Sequence, residues 1–166
     1  VLYIIGFLLS ALAVLICIPG IVDAYFGNED WQIFIYTSLI SLFIGVILIL
    51  ANKSENFSLT VKQAFLLTTL SWVFIAFFGS IPFIFSNLKL SFTNAFFESM
   101  SGITTTGSTV ISGLDNLPQG ILLWRSLLQW IGGIGIIVIA ISILPILKVG
   151  GMQLFHTETS DTSEKV

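Results

Sequence analysis

A chain of 166 residues that is 55% hydrophobic and only 9% charged departs from the soluble globular class, in which about a quarter of residues carry charge. Six basic residues and a net charge of −3 exclude a nucleic-acid binder, which needs clustered Lys and Arg to neutralise a phosphate backbone. The single cysteine, Cys17, excludes a disulfide framework and a cysteine-based zinc site.

The apolar residues fall in long blocks, the pattern of a chain whose solvent is hydrocarbon. The first block, residues 1 to about 24, is uncharged before Asp23 and matches the roughly 20 residues that cross a bilayer. It lacks a secretory cleavage pattern and reads as a true span whose start has been trimmed. Pro19 and Gly20 are expected to bend or end it.

A second block, residues 31–51, follows the polar turn Gly27-Asn28-Glu29-Asp30 and forms a short-looped hairpin with the first. A third covers about 62–85, with Pro82 near its far end, where a helix loses a backbone bond cheaply. The last, about 118–147, is long enough to cross with tilt and stops around Pro145 and Lys148.

Residues 91–117 are too polar to cross, yet Phe92, Phe96, Phe97, Met100 and Ile103 recur at helical spacing. This predicts a short helix over about 93–102. The β-branched run Thr104-Thr105-Thr106 and Gly107 should then give way to extended backbone. The expected fold is all-α and integral to the membrane: four transmembrane helices, with one re-entrant pore helix and an extended filter loop between the third and fourth. Its parts are an N-terminal hairpin (1–56), a helix, pore loop, helix repeat (57–152) and a polar tail (153–166).

Basic residues gather on the cytoplasmic side of spans. Lys53, Lys62 and Lys148 therefore put the loop after the second span and the end of the fourth inside, with Lys89 arguing the other way. The pore loop then enters from the outer face.

A short helix aiming its C-terminus at the membrane middle presents the negative end of its dipole to a cation. The extended segment beyond it can replace a hydration shell with carbonyl oxygens. Thr104, Thr105, Thr106, Gly107 and Ser108 suit that task, because Gly107 can take a positive φ. The same residues are a near miss to a phosphate-binding loop, with Ser108 in place of the lysine. That loop follows a strand, whereas this segment follows a helix, so nucleotide binding is rejected.

The run Phe96-Phe97-Glu98-Ser99-Met100-Ser101-Gly102-Ile103-Thr104-Thr105-Thr106-Gly107-Ser108-Thr109 resembles the first pore loop of the Trk/Ktr potassium-uptake family, nearest its bacterial TrkH branch. Similarity continues through Leu123-Trp124-Arg125-Ser126-Leu127-Leu128-Gln129-Trp130-Ile131-Gly132-Gly133 and Gly150-Gly151-Met152-Gln153-Leu154-Phe155. The resemblance implies four such repeats around one pathway, in a multi-pass protein of the cell inner membrane. By the same resemblance, Thr105 and Thr106 would hold K+, Gly107 would be the selectivity glycine, and Thr104 and Ser108 would flank them. It further implies a homodimer that meets a cytosolic nucleotide-binding regulatory subunit of the TrkA type. One loop cannot ring an ion, so the chain is expected to be part of a longer four-repeat protein; the alternative is a sodium- and potassium-permeable channel built from several copies. The residues fit Na+ as well as K+, and coupling to Na+ or H+ as well as passive conduction. No cofactor is expected beyond the transported ion.

Arg125, inside the fourth span, needs a partner; Glu98 on the pore helix is one, and snorkelling to the outer headgroups is the alternative. Asp115 reads as a turn residue, Gly132, Gly133 and Gly135 as packing positions, and His156 as a tail residue without ligand partners. An intramembrane hydrolase using Ser101 or Ser108 lacks a base within the spans, so the chain is not expected to be an enzyme.

Overall fold

The computed structural model describes residues 1–52 and 60–147. The elements are α1 (Leu2–Phe26), α2 (Trp31–Ala51), α3 (Val61–Phe85), α4 (Phe92–Ile103), a 3-10 turn (Leu114–Asn116) and α5 (Gln119–Leu147). Among the described residues no strand occurs. Helices α1, α2, α3 and α5 are each long and apolar enough to cross a membrane. Residues 1–134 form one compact unit; a second begins at Gly135, and its described part is the remainder of α5. Lys53, Lys148, His156 and the polar tail lie outside the described residues.

The α1–α2 hairpin is held by backbone approach and by hydroxyl groups. Ser38 Oγ donates to the Ala13 carbonyl at 2.7 Å, and Cys17 Sγ lies 3.1 Å from the same hydroxyl. Helix α1 turns into the connection through Gly27, which takes a left-handed φ of 75°, and α2 occupies the range expected of it.

Helix α1 does not end at Pro19-Gly20. It continues to Phe26 with Pro19 inside. The physical reason is one of accounting for carbonyls: continuing past a proline forfeits one backbone bond, whereas stopping there would leave a whole turn of carbonyls without partners.

Helix α3 starts with a capping box, in which Thr60 Oγ1 accepts from Gln63 N–H and Gln63 Oε1 accepts from Thr60 N–H. Ser91 caps α4 by accepting from Asn94 N–H at 3.3 Å. At 12 residues, α4 is about 18 Å long, too short to cross. Phe78, Phe83, Ala95, Ile103, Trp124 and Leu128 make the core around it, and Trp124 Nε1–H donates to the Gly79 carbonyl at 2.9 Å.

Candidate functional site

The C-terminus of α4 closes on itself in a specific way. Thr105 N–H donates to Gly102 O at 2.9 Å and Thr106 N–H to Ser101 O at 3.0 Å. This pair of bonds ends a helix around a left-handed residue, usually glycine. Here that residue is Thr105, with φ 58°. A β-branched side chain in that region costs about 1–3 kcal/mol. The backbone therefore leaves the helix through a tight turn at Thr104 and Thr105, where continuous extended chain was expected. The reason is that the helix's own terminal carbonyls capture the next amides.

Gly107 N–H also reaches Ser101 O, at 3.3 Å. The amides of Thr105, Thr106 and Gly107 thus all point back at the end of α4. No peptide among the described residues is cis, and in a planar trans peptide the carbonyl of one residue opposes the N–H of the next. The carbonyls of Thr104, Thr105 and Thr106 must therefore face away from the helix. Among the described residues none of them accepts a hydrogen bond, and residues 104–110 are all exposed.

Positive φ at Thr105 and at Gly107 (77°), with Thr104 at −81°, alternates the backbone hand, which keeps successive carbonyls on one side. The Thr104 and Thr106 hydroxyls lie 2.9 Å apart, and Thr104 Oγ1 donates to the Met100 carbonyl at 2.8 Å. Ser108 differs from its neighbours: its carbonyl accepts from Ser101 Oγ at 2.6 Å, so it anchors the segment. The same bond gives the Ser101 hydroxyl a structural task.

Glu98 holds the far side of the loop. It is 2% exposed. Its Oε1 accepts from Arg125 Nε–H at 2.6 Å, and its Oε2 accepts from Thr109 Oγ1 at 3.0 Å and Val110 N–H at 3.1 Å. The pairing reading of Arg125 holds over snorkelling, because a carboxylate this buried needs charge-assisted donors. Gly132 lies against the turn so closely that a Cβ there would overlap the Ile103 carbonyl. Gly133 and Gly135 have no neighbour within 4 Å of such an atom. Trp124 is fully buried and Trp130 62% exposed. Asp115 is exposed in the 3-10 turn.

A family model described as a cation transport protein, TrkH, matches residues 31–165. The chain belongs to the TrkH family. It is 46% identical over its full length to the Trk system potassium uptake protein TrkI of Halomonas elongata, and 45% identical over 156 residues to TrkH of Escherichia coli. A crystal structure of the potassium transporter TrkH from Vibrio parahaemolyticus superimposes with a TM-score of 0.85 at 39% identity, covering 98% of this chain and 35% of that one. The chain spans about a third of the length of these TrkH-family proteins, 34% and 32% of the two sequences. Family membership makes it a multi-pass membrane protein of a transporter family.

Sequence reasoning did not find two residues that tie this region to α1 and α2. Asp23, fully buried, accepts from Gly120 N–H at 2.7 Å, and Asp30 accepts from Asn87 N–H at 3.2 Å. The available signal was an acidic residue at the end of an apolar span, where burial without a partner is costly.

Proposed function

We propose that this chain contributes one of four pore-loop repeats to a potassium-uptake pathway, in a Trk-type pore subunit of the cell inner membrane. The observation that carries it is the outward alignment of the Thr104, Thr105 and Thr106 carbonyls, forced by three amides folded back on the end of α4. Free carbonyl oxygens at the negative end of a helix dipole are the chemistry that replaces water around a monovalent cation. Thr105 and Thr106 hold K+ through these oxygens, Gly107 supplies the required positive φ, and Thr104 and Ser108 flank the site. Glu98 and Arg125 support the loop without touching the ion. The exposure of residues 104–110 fits a surface completed by counterpart loops.

The helix and its loop dip into the membrane from the outer face, an orientation supported by exposed Lys62 at the start of α3. The complete subunit forms a homodimer and meets a nucleotide-binding partner of the TrkA type on the cytoplasmic side. It is a transporter and not an enzyme.

The test is Gly107→Ala in the complete native chain. Space exists for the added carbon, since its nearest neighbour is Gln129 Nε2 at 3.6 Å, so any effect comes from φ. Potassium uptake in a potassium-requiring bacterial strain should fall sharply, or sodium should enter in its place. Unchanged, potassium-selective uptake would overturn the assignment.

A further inference from the structure

The end of α1 and the start of α2 together reach both roots of the pore loop. Asp30, the N-cap residue of α2 and 3% exposed, accepts from Asn87 N–H through Oδ1 at 3.2 Å and Oδ2 at 3.4 Å. Asn87 lies in the link from α3 to α4. Asp23 accepts from Gly120 N–H in the first turn of α5, placing a carboxylate at the positive end of that helix. Asn28 Nδ2 donates to Asp23 Oδ1 at 2.9 Å and to Gln119 Oε1 at 3.1 Å. Everything between residues 87 and 119, pore helix and filter segment included, is thus suspended between two points, one held by Asp23 in the last turn of α1 and one by Asp30 at the N-cap of α2.

The second point connects onward to the filter. Helix α5 carries Arg125, Arg125 holds Glu98, and Glu98 holds Thr109 and Val110 at the exit of the carbonyl run. Asp23 Oδ2 is buried without a hydrogen-bond partner, and a Cβ on Gly120 would overlap the carboxylate. The carboxylate is therefore packed directly on the α5 backbone with no slack, so its removal frees the helix end to shift.

We propose that Asp23, Asn28 and Asp30 are positioning residues that clamp both roots of the pore loop and so set the ion selectivity of the filter. This rests on the potassium-pathway reading above. A carbonyl site discriminates ions through the number and arrangement of its oxygens, and a loop with one loosened root holds that arrangement less well.

The test uses the complete native chain in liposomes, with K+ and Na+ fluxes measured separately. Asp23→Ala and Asn28→Ala should lower the K+ to Na+ flux ratio by roughly fivefold or more while K+ flux persists. Gly120→Ala should act like Asp23→Ala, and the double variant should be no worse than Asp23→Ala alone, because removing the carboxylate vacates the space. Backbone hydrogen exchange at residues 104–111 should quicken in each. Should Asp23→Ala fail to fold, Asn28→Ala, half-buried, carries the comparison. Folded variants with the parent flux ratio and parent exchange rates overturn the clamp. Absence of K+ flux in the unaltered protein overturns the potassium reading instead, and the selectivity claim with it.

Discussion

Arg125 Nε sits 2.6 Å from Glu98 Oε1, joining α5 to α4 across 27 residues of sequence. The pair is mostly enclosed, with side-chain exposures of 17% and 1%. Removing one partner from such a pair strands a buried charge and costs about 3–5 kcal/mol. Glu98→Ala and Arg125→Ala should each lower the unfolding temperature in detergent, and the double variant should lose much less than the sum. Additive losses would mean that the two side chains do not depend on each other.

Gly132 makes a second, sharper prediction. Its Cα faces the Ile103 carbonyl with no room for a side chain, and forcing atoms into a packed contact costs about 1–3 kcal/mol. Gly132→Ala should therefore destabilise the protein and abolish uptake by displacing the end of α4. Gly133→Ala, with open space around it, is the control and should retain both properties. Equal behaviour of the two variants would refute the contact.

Thr105 holds a conformation that glycine takes freely. Thr105→Gly should raise thermal stability by about 1 kcal/mol through relief of that strain. The same change should loosen the carbonyl run and reduce ion selectivity, since it removes a stiff side chain. A gain in stability with unaltered selectivity would make the threonine irrelevant to the filter.

Most of the fold was legible because hydrocarbon imposes so few solutions. The second span could be placed from Trp31 to Ala51 by its apolar run alone, and α4 extended one residue beyond expectation at each end. Of the two expectations for Pro19-Gly20, a bend or an end, the end does not occur: α1 runs on to Phe26, because bare carbonyls cost more than the one backbone bond a proline forfeits. The turn at Thr105 was hidden: β-branched residues favour extended backbone, but two carbonyls at the end of α4 outbid that preference. The contacts of Asp23 and Asp30 join residues 97 and 57 positions apart, and no periodicity announces a partner at that distance. For Arg125 the sequence offered Glu98 or the outer headgroups, because a membrane interior cannot leave a charge alone, and only the packing of α5 on α4 decides for Glu98.

Asp30, in the connection between α1 and α2, gives a pH dependence. Burial raises its carboxyl above the ordinary value of 3.8; the Asn87 N–H opposes this, and repulsion from Asp23 and Glu29 adds to it. A raised folded value means that the folded state keeps its proton longer than the unfolded chain. The resulting penalty is complete above the raised value and disappears on descending to 3.8. Asp30→Asn has no such titration, so the unaltered protein should gain thermal stability relative to it as pH falls from neutral through that window. A difference that stays constant or moves the other way would contradict the assigned cause.

The most direct test of the central claim is a crystal structure of the complete protein grown with rubidium or thallium in place of potassium, read by anomalous scattering. The carbonyl alignment predicts a peak of heavy cation on the pathway axis, within about 3 Å of the Thr104, Thr105 or Thr106 oxygens and on the side away from α4. A filter segment with those oxygens turned toward protein, and no peak beside them, would contradict it.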